Sequence, residues 1–559
     1  MRLRLKAAGI VLLVLTACRS QQPIAGLTGN QPVQWQSGEA YTSKPKLVVG
    51  VIIDQFRPDY LQRFYHHFGS GGFKRLMTQG YYNRNTHYNY VPTVTGPGHA
   101  SVYAGTTPAV HGIVANSWYS RELSRTVYCA EDTLARSVGS DTDAGRRSPR
   151  NLLTTNIADA LKLSTNSKSK VVGVAVKDRG AIMPAGHMAD GAYWFDSRQG
   201  KFISSTYYME ALPDWVNAFN TKSLPQQYMD STWNMLMPLA TYEGPDDSPF
   251  EKVFKGKRAA VFPYNLRELG PDNGNYSLLT YTPFANTIVT ELAMAAIAGE
   301  HMGQDEVPDL LAVSYSSTDI LGHSFGPRSA EIQDMYLRLD QDIAYLLNYL
   351  DSTVGEGQYV MFLTADHAAA EVPNYLVTNK VPAGYFSQKD LRRKAEAFLQ
   401  NTYGEDGLVE YVTNQQVYLN HKIVRDKKLD LDVVQQSVAS YLRDVDGVVA
   451  VYTSGELRQQ DYCEGNPWLL KKGYNYKRSG DVFVVLEPGW LDGGKVGTTH
   501  GTGYNYDTHV PLLWYGGHIK PGSSVRRQNI TDVAPTLSFM LDIILPNGAN
   551  GEPIQEVLQ

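Results

Sequence analysis

The sequence has no excess of basic residues. Lys and Arg number 51 against 56 Asp and Glu, and the formal charge is −5 at pH 7. That balance leaves no electrostatic footprint for nucleic acid. Beyond the N-terminal segment, no run is apolar enough to cross a membrane. There is no internal repeat and no low-complexity tract. Cysteine is scarce, at three residues. One of them falls in the N-terminal segment, so Cys129 and Cys463 are the only pair left for a disulfide. Nothing local brings those two together, and the question of a bond stays open. What is present is a well-buried globular chain, 43% hydrophobic and 19% charged. Its 559 residues suffice for one large domain or several ordinary ones. The 36 tyrosines suit a large irregular surface and point to no function.

The N-terminus, MRLRLKAAGIVLLVLTACRS, has a basic start, a short apolar core and then Leu15-Thr16-Ala17-Cys18. The apolar run is too short to span a bilayer and has the form of a secretory signal. The cysteine resembles that of a bacterial lipoprotein signal. On that resemblance residues 1–18 form a lipoprotein-type signal ending at the lipobox cysteine, the mature chain begins at lipidated Cys18, and residues 19–45 form a tether. A plain cleaved signal is the alternative. Either way the protein is expected to be exported, periplasmic or in the outer membrane. Its only membrane contact would be the lipid at Cys18.

Five short runs rich in Val, Ile and Leu stop at polar residues: 46–56, 170–180, 308–319, 359–368 and 509–517. Near-continuous apolar runs of this length fit strands buried on both faces. Helical patterns lie between or after them, at 285–302, 329–350 and 530–543. This alternation predicts an α/β fold with a doubly wound, mainly parallel central sheet flanked by helices. One catalytic domain over 46–559 is expected. Stretches at about 187–283 and 372–480, rich in Tyr, Asn, Pro and Gly, read as cap insertions.

The strand-like runs end in chemistry. The first ends at Asp54, the second at Lys177 and Arg179, the third at Asp319, and the fourth at Asp366-His367. Ligands bind at the carboxyl ends of the strands in open α/β sheets. One such Asp is an ordinary turn former; four runs ending this way point to a shared site. Asp319 and His323 are four apart, on one face of a helical turn. His500 lies in a glycine-bracketed loop. Mixed Asp and His sets favour zinc or a similar divalent ion over calcium. Two sets suggest two metals, suited to an in-line displacement.

Six segments carry a resemblance: IIDQFRPDY, PTVTGPGHASVYAGTTPAVHGIVANSWY, VKDRG, STDILGHSFGP, TADHAAAEVP and THGTGYNYDTHVP. Together they resemble the alkaline phosphatase superfamily, and most of all its phosphate-irrepressible periplasmic alkaline phosphatases. The resemblance runs from Asp54 to the last helix. It implies two zinc ions, one on Asp319, His323 and His500, the other on Asp54, Asp366 and His367. It implies that Thr95 binds the second zinc and attacks phosphorus, forming a phosphothreonine. Asn116, Lys177 and Arg179 would bind the phosphoryl oxygens. The substrates implied are small phosphate monoesters, and a monomer is expected.

A monoester brings one more charge than a diester, and Lys177 with Arg179 offers two cations for it. A phosphodiesterase or nucleotide pyrophosphatase on the same scaffold is the main alternative. A lipoprotein that binds metal or phosphate without turnover is a remoter one. Thr95 is expected at a helix N-terminus, where the dipole and free amides favour an anion. Thr93 reads as its scaffold, and His99, His111 and His509 as supporting residues. His66 and His67 read as surface.

Overall fold

The computed structural model describes residues 44–517 and 519–558. The expected signal, Cys18 and nearly all of the tether lie outside the described residues. Eight strands form the body of the central sheet: β1 (Leu47–Ile53), β2 (Tyr81–His87), β3 (Val171–Ala175), β4 (Gly191–Asp196), β5 (Lys201–Ser205), β6 (Asp309–Tyr315), β7 (Tyr359–Thr364) and β8 (His509–Gly516). Their order across the sheet is β2-β8-β7-β1-β6-β3-β4-β5, with short strands closing both edges. The five strands from β7 to β4 are parallel. β8 and β2 add antiparallel on one side and β5 on the other. The expected α/β architecture is therefore present, as a mixed, mostly parallel sheet.

Every residue of β1, β3, β6 and β7 is buried. Helices cover these strands, which is why their sequences are apolar without alternation. The flanking helices include α1 (Thr95–Ala104), α2 (Asp178–Ala185), α3 (Pro283–Gly299), α4 (Ser317–Phe325), α5 (Ala330–Leu350) and α6 (Val533–Leu541). α5 starts where the Ser329 hydroxyl accepts from the Ile332 amide at 3.1 Å. It buries Leu339, Ile343, Leu346 and Leu350 along one stripe, each contributing about 2 kcal/mol of apolar burial.

Three strands fall outside the apolar runs read from the sequence. β2, YYNRNTH, buries Asn83, whose side-chain oxygen accepts from the Trp514 indole at 3.1 Å. β4 and β5 lie in the stretch read as the first insertion, which thus begins inside the main sheet. The second stretch holds strands 409–413, 416–419 and 448–453, which join 482–486 in a separate four-stranded sheet. It has its own core of Leu391, Leu399, Val434, Val438 and Leu442. Cys129 is buried, Cys463 is exposed, and no disulfide links them.

Candidate active site

The carboxyl ends of four neighbouring parallel strands meet on one edge. In sheet order they lead into Asp366 after β7, Asp54 after β1, Asp319 after β6 and Lys177 after β3. The strand spacing alone thus puts three carboxylates and one ammonium side by side.

Two groups of potential ligands form there. Asp54, Asp366 and His367 make one; Asp319, His323 and His500 make the other. Within each, the ligand atoms lie within 4.8 Å of one another. Asp54, Asp366 and His367 are fully buried. His367 Nε2 is 3.4 Å from Asp54 Oδ1 and 3.5 Å from Asp366 Oδ2. All three of those atoms are buried with no hydrogen-bond partner. In the other group, Asp319 Oδ1 lies 3.2 Å from His323 Nε2 and 3.4 Å from His500 Nε2.

The imidazoles are held from behind. His323 Nδ1 donates to the Thr498 carbonyl at 2.9 Å, His500 Nδ1 to Thr93 at 2.7 Å, and His367 Nδ1 to Ala368 at 3.0 Å. Each Nε2 therefore faces carboxylate oxygens. With Nδ1 so engaged, each Nε2 is available as a ligand atom, and three such donors clustered on carboxylate oxygens suit a bound cation. Burial raises the Asp54 and Asp366 carboxyls, and repulsion adds to it, from Asp319 on Asp54 and from Asp54 on Asp366. Burial and nearby His500 push His367 far down, leaving a neutral ligand. Burial would also raise Asp319, but His323 and Lys177 outweigh it and hold that carboxyl low. The donor sets fit two divalent ions with nitrogen and oxygen ligands.

Thr95 is the first residue of α1, buried beside these groups. Arg179 Nη2 lies 3.4 Å from Thr95 Oγ1, and Arg179 Nε is buried and unpartnered. Lys177 Nζ bridges Asp54 Oδ2 at 2.6 Å and Asp319 Oδ2 at 2.5 Å, one carboxylate from each group. Asn116 Oδ1 accepts from the Gly96 amide at 2.7 Å. That bond changes the expectation of free amides at this helix end. Gly96 N–H is taken by Asn116, Pro97 has none, and Gly98 N–H bonds Val94. The helix contributes its positive end and a fixed Asn116 amide. The glycines serve close approach. A Cβ on Gly98 would lie 2.4 Å from the Asp366 carbonyl oxygen.

Thr93 donates to the Thr502 carbonyl at 2.9 Å, bracing the His500 loop. His99 bonds the Thr95 carbonyl and Ser314, and burial lowers its pKa to about 3. His111 bonds Ser101. His509 stacks on His87 instead, with centroids 4.7 Å apart, and Nε2 donates to the Arg84 carbonyl.

Several site residues escaped sequence reasoning. Gln55 sits at φ 63° after Asp54. Its amide N–H reaches Asp366 at 3.2 Å and its Nε2 reaches Asp319 at 2.7 Å, tying the two groups together. Only glycine fits opposite, since a Cβ on Gly322 would lie 1.9 Å from Gln55 Oε1. Behind Arg179, Tyr128 Oη accepts from Nη1 at 3.2 Å and donates to Asp178. Arg147 Nε holds the other Asp178 oxygen at 2.6 Å. Gln55 directly follows Asp54, but the side chains that face it come from distant strands.

A model of the family described as type I phosphodiesterase / nucleotide pyrophosphatase matches residues 48–509. The chain belongs to this family. Within it, the chain is 44% identical to alkaline phosphatase PafA of Elizabethkingia meningoseptica over 520 residues, covering 92% of this chain and 95% of that one. It is 41% identical to alkaline phosphatase PhoV of Synechococcus elongatus over the full length of both. The crystal structure of wild-type PafA superposes with a TM-score of 0.89, covering 92% of this chain and 99% of that one. The resemblance to the alkaline phosphatase superfamily read from the motifs holds, and so does its fold.

Proposed function

We propose that this protein is an exported, zinc-dependent alkaline phosphatase that hydrolyses small phosphate monoesters through a phosphothreonine at Thr95. The observation that carries the reading is the convergence of two three-residue ligand groups on Thr95, with Lys177 and Arg179 on the same edge. The names of the relatives at 41–44% identity support it. So does a solved PafA variant in which a threonine, an asparagine, a lysine and an arginine are replaced together. Those are the residue types of Thr95, Asn116, Lys177 and Arg179, in the same order.

Asp54, Asp366 and His367 would hold one zinc, and Asp319, His323 and His500 the other. When bound, the two ions supply Lewis-acid stabilisation to the attacking and leaving oxygens of an in-line displacement. Thr95 Oγ1 gives up its proton to solvent and forms the new O–P bond as the bond to the alcohol breaks, and the departing alkoxide oxygen takes a proton from water. Water then cleaves the phosphothreonine and releases phosphate. Arg179 donates to non-bridging oxygens through Nε and Nη2, and the Asn116 amide through its NH2 end. Lys177 supplies a second positive charge. His99, held neutral below the α1 backbone, serves no proton transfer to Thr95.

The phosphodiesterase reading rests on the family description. The Lys177–Arg179 pair argues against it, because two cations suit a dianion and fill the space of a second ester group. The rest of the proposal follows the export signal: a single catalytic domain over 46–559 with caps, anchored by lipid at Cys18, working as a monomer. The deciding experiment compares kcat/KM on a monoester and its methyl diester, with zinc quantified on the same sample. A strong diester preference refutes the reading.

A further inference from the structure

Residues 242–263 form neither helix nor strand, yet one short piece of them ties the Asp319 group together. The Lys252 amide donates to the Ser324 carbonyl at 2.9 Å, one residue after His323. The Phe250 carbonyl accepts from the Gly497 amide at 2.8 Å. Gly497 packs so closely on α4 that a Cβ there would lie 2.0 Å from the His323 carbonyl oxygen. The next residue, Thr498, supplies the carbonyl that holds His323 Nδ1. Residues 250–252 thus grip the end of α4 and the His500 loop at once.

Glu251, between the two gripping residues, is buried, as is Glu331 at the start of α5. Glu331 Oε1 accepts from the Tyr264 hydroxyl at 2.5 Å, and Oε2 of each glutamate is buried with no hydrogen-bond partner. The arginines lining the cavity beside Glu251 are taken, Arg63 by Glu243 and Arg328 by Glu371. Lys257 donates to the Pro263 carbonyl. Asp246 and Asp247 add negative charge around Glu251, and Asp246 and Asp334 around Glu331. Burial, then repulsion from Glu331, pushes the Glu251 carboxyl up to about 10, and burial pushes Glu331 up to about 8. An unfolded chain would release both protons near pH 4.5. The folded pair keeps them and loses them in turn as pH rises through about 8 and 10. Glu331 is fixed by its helix. Glu251 sits on irregular backbone beside a cavity of about 220 Å3 and is the one free to leave. We propose that residues 250–252 are a strap that positions His323 and the His500 loop, fastened by Glu251 while it stays uncharged beside Glu331. Ionisation of both carboxyls sends Glu251 toward water and draws the Phe250 carbonyl and the Lys252 amide off the Asp319 group. The inference rests on the reading of Asp319, His323 and His500 as a metal group and names a regulation of that group.

The test follows zinc loss from the zinc-loaded protein, dialysed against one chelator at about pH 7, 9 and 11 and counted by elemental analysis. In the wild type the fast phase, from the Asp319 group, should quicken with pH by roughly tenfold more than in Glu251→Gln, about what two lost hydrogen bonds allow. Glu251→Gln stays uncharged and should hold its metal through the same range, and Glu331→Gln should do likewise. The slow phase, from the Asp54 group, should be the same in all three proteins, since the chelator and the other titrating groups are common to them. Lys252→Pro removes the amide that grips Ser324 and should release the fast equivalent roughly tenfold sooner already at pH 7. The inference is overturned if Glu251→Gln and Glu331→Gln follow the wild-type pH course, or if folded Lys252→Pro keeps the wild-type rate. Should Lys252→Pro not fold, the two glutamine variants decide alone. If the wild type takes up no second equivalent of zinc, the metal reading falls and takes this one with it.

Discussion

The two ligand groups have the same size and similar chemistry but opposite exposure. Asp54, Asp366 and His367 are wholly inside the protein. In the other group Asp319 is nearly buried, while the His323 side chain is 39% exposed and borders a cavity. The closed group lies at the ends of adjacent central strands, beside Thr95. The open group borrows His500 from a loop near the end of the chain. A site that must hold one reactant still and let another come and go gains from this asymmetry. Under the proposed mechanism the closed half would fix the attacking oxygen, and the open half would admit the alcohol and then water.

The contrast can be broken in several ways. Thr95→Ala removes the group that the closed half positions, and hydrolysis should fall by on the order of 10⁴-fold with both metals retained. Near-wild-type turnover would end the covalent route. Timed dialysis against a chelator, followed by elemental analysis, should remove one metal equivalent well before the second. His323→Ala should abolish the fast phase and leave the slow one. Loss of both equivalents at one rate would mean that exposure does not set lability. Arg147 touches neither group and reaches Arg179 through Asp178 and through the Tyr128 ring over which it lies. Arg147→Ala should lower kcat/KM on monoesters about tenfold by letting Arg179 drift. In an Arg179→Ala background the same change should cost almost nothing. Equal losses in both backgrounds would make Arg147 a merely structural residue. In metal-free protein, His367→Ala should lower stability by about 2 kcal/mol as a cavity cost, and His323→Ala by less than about 0.5 kcal/mol. Denaturant titrations of the two variants decide this.

A separate effect concerns α5, which follows the helix carrying Asp319 and His323. Burial pushes the Asp342 carboxyl up to about 8, against about 4 in an unfolded chain. The folded state thus keeps a proton that the unfolded state releases. Stability should be full below about pH 4 and decline as pH rises toward 8. Asp342→Asn should flatten that slope. Parallel slopes in both proteins would show that Asp342 ionises normally.

The closed group and the central sheet were both legible in the sequence, for one reason. Strands buried on two faces leave apolar runs, and the polar residue that ends each run is where the sheet meets solvent or ligand. Asp54, Lys177, Asp319 and Asp366 could be found by that rule. β2 could not, because its interior side chains are polar and satisfied by partners such as Trp514, which lies far along the chain. β4 and β5 were hidden by their setting in a Tyr- and Gly-rich stretch. Gln55, Tyr128 and Arg147 left no pattern, since their roles depend on which distant residue each one faces. The expectation of free amides ahead of α1 missed that Asn116 would claim one.

The order of strands along the site has a consequence for biogenesis. The neighbours β7, β1, β6 and β3 come from widely separated parts of the sequence, and His500 braces against Thr93 across 407 residues. No early fragment contains either complete ligand group. Contacts of such separation form late, because long loops must close first. A chain still being synthesised or threaded across a membrane therefore has no working centre. The Asp319 group closes only once the His500 loop has docked, so a centre with both ligand groups would be among the last parts of the fold to form.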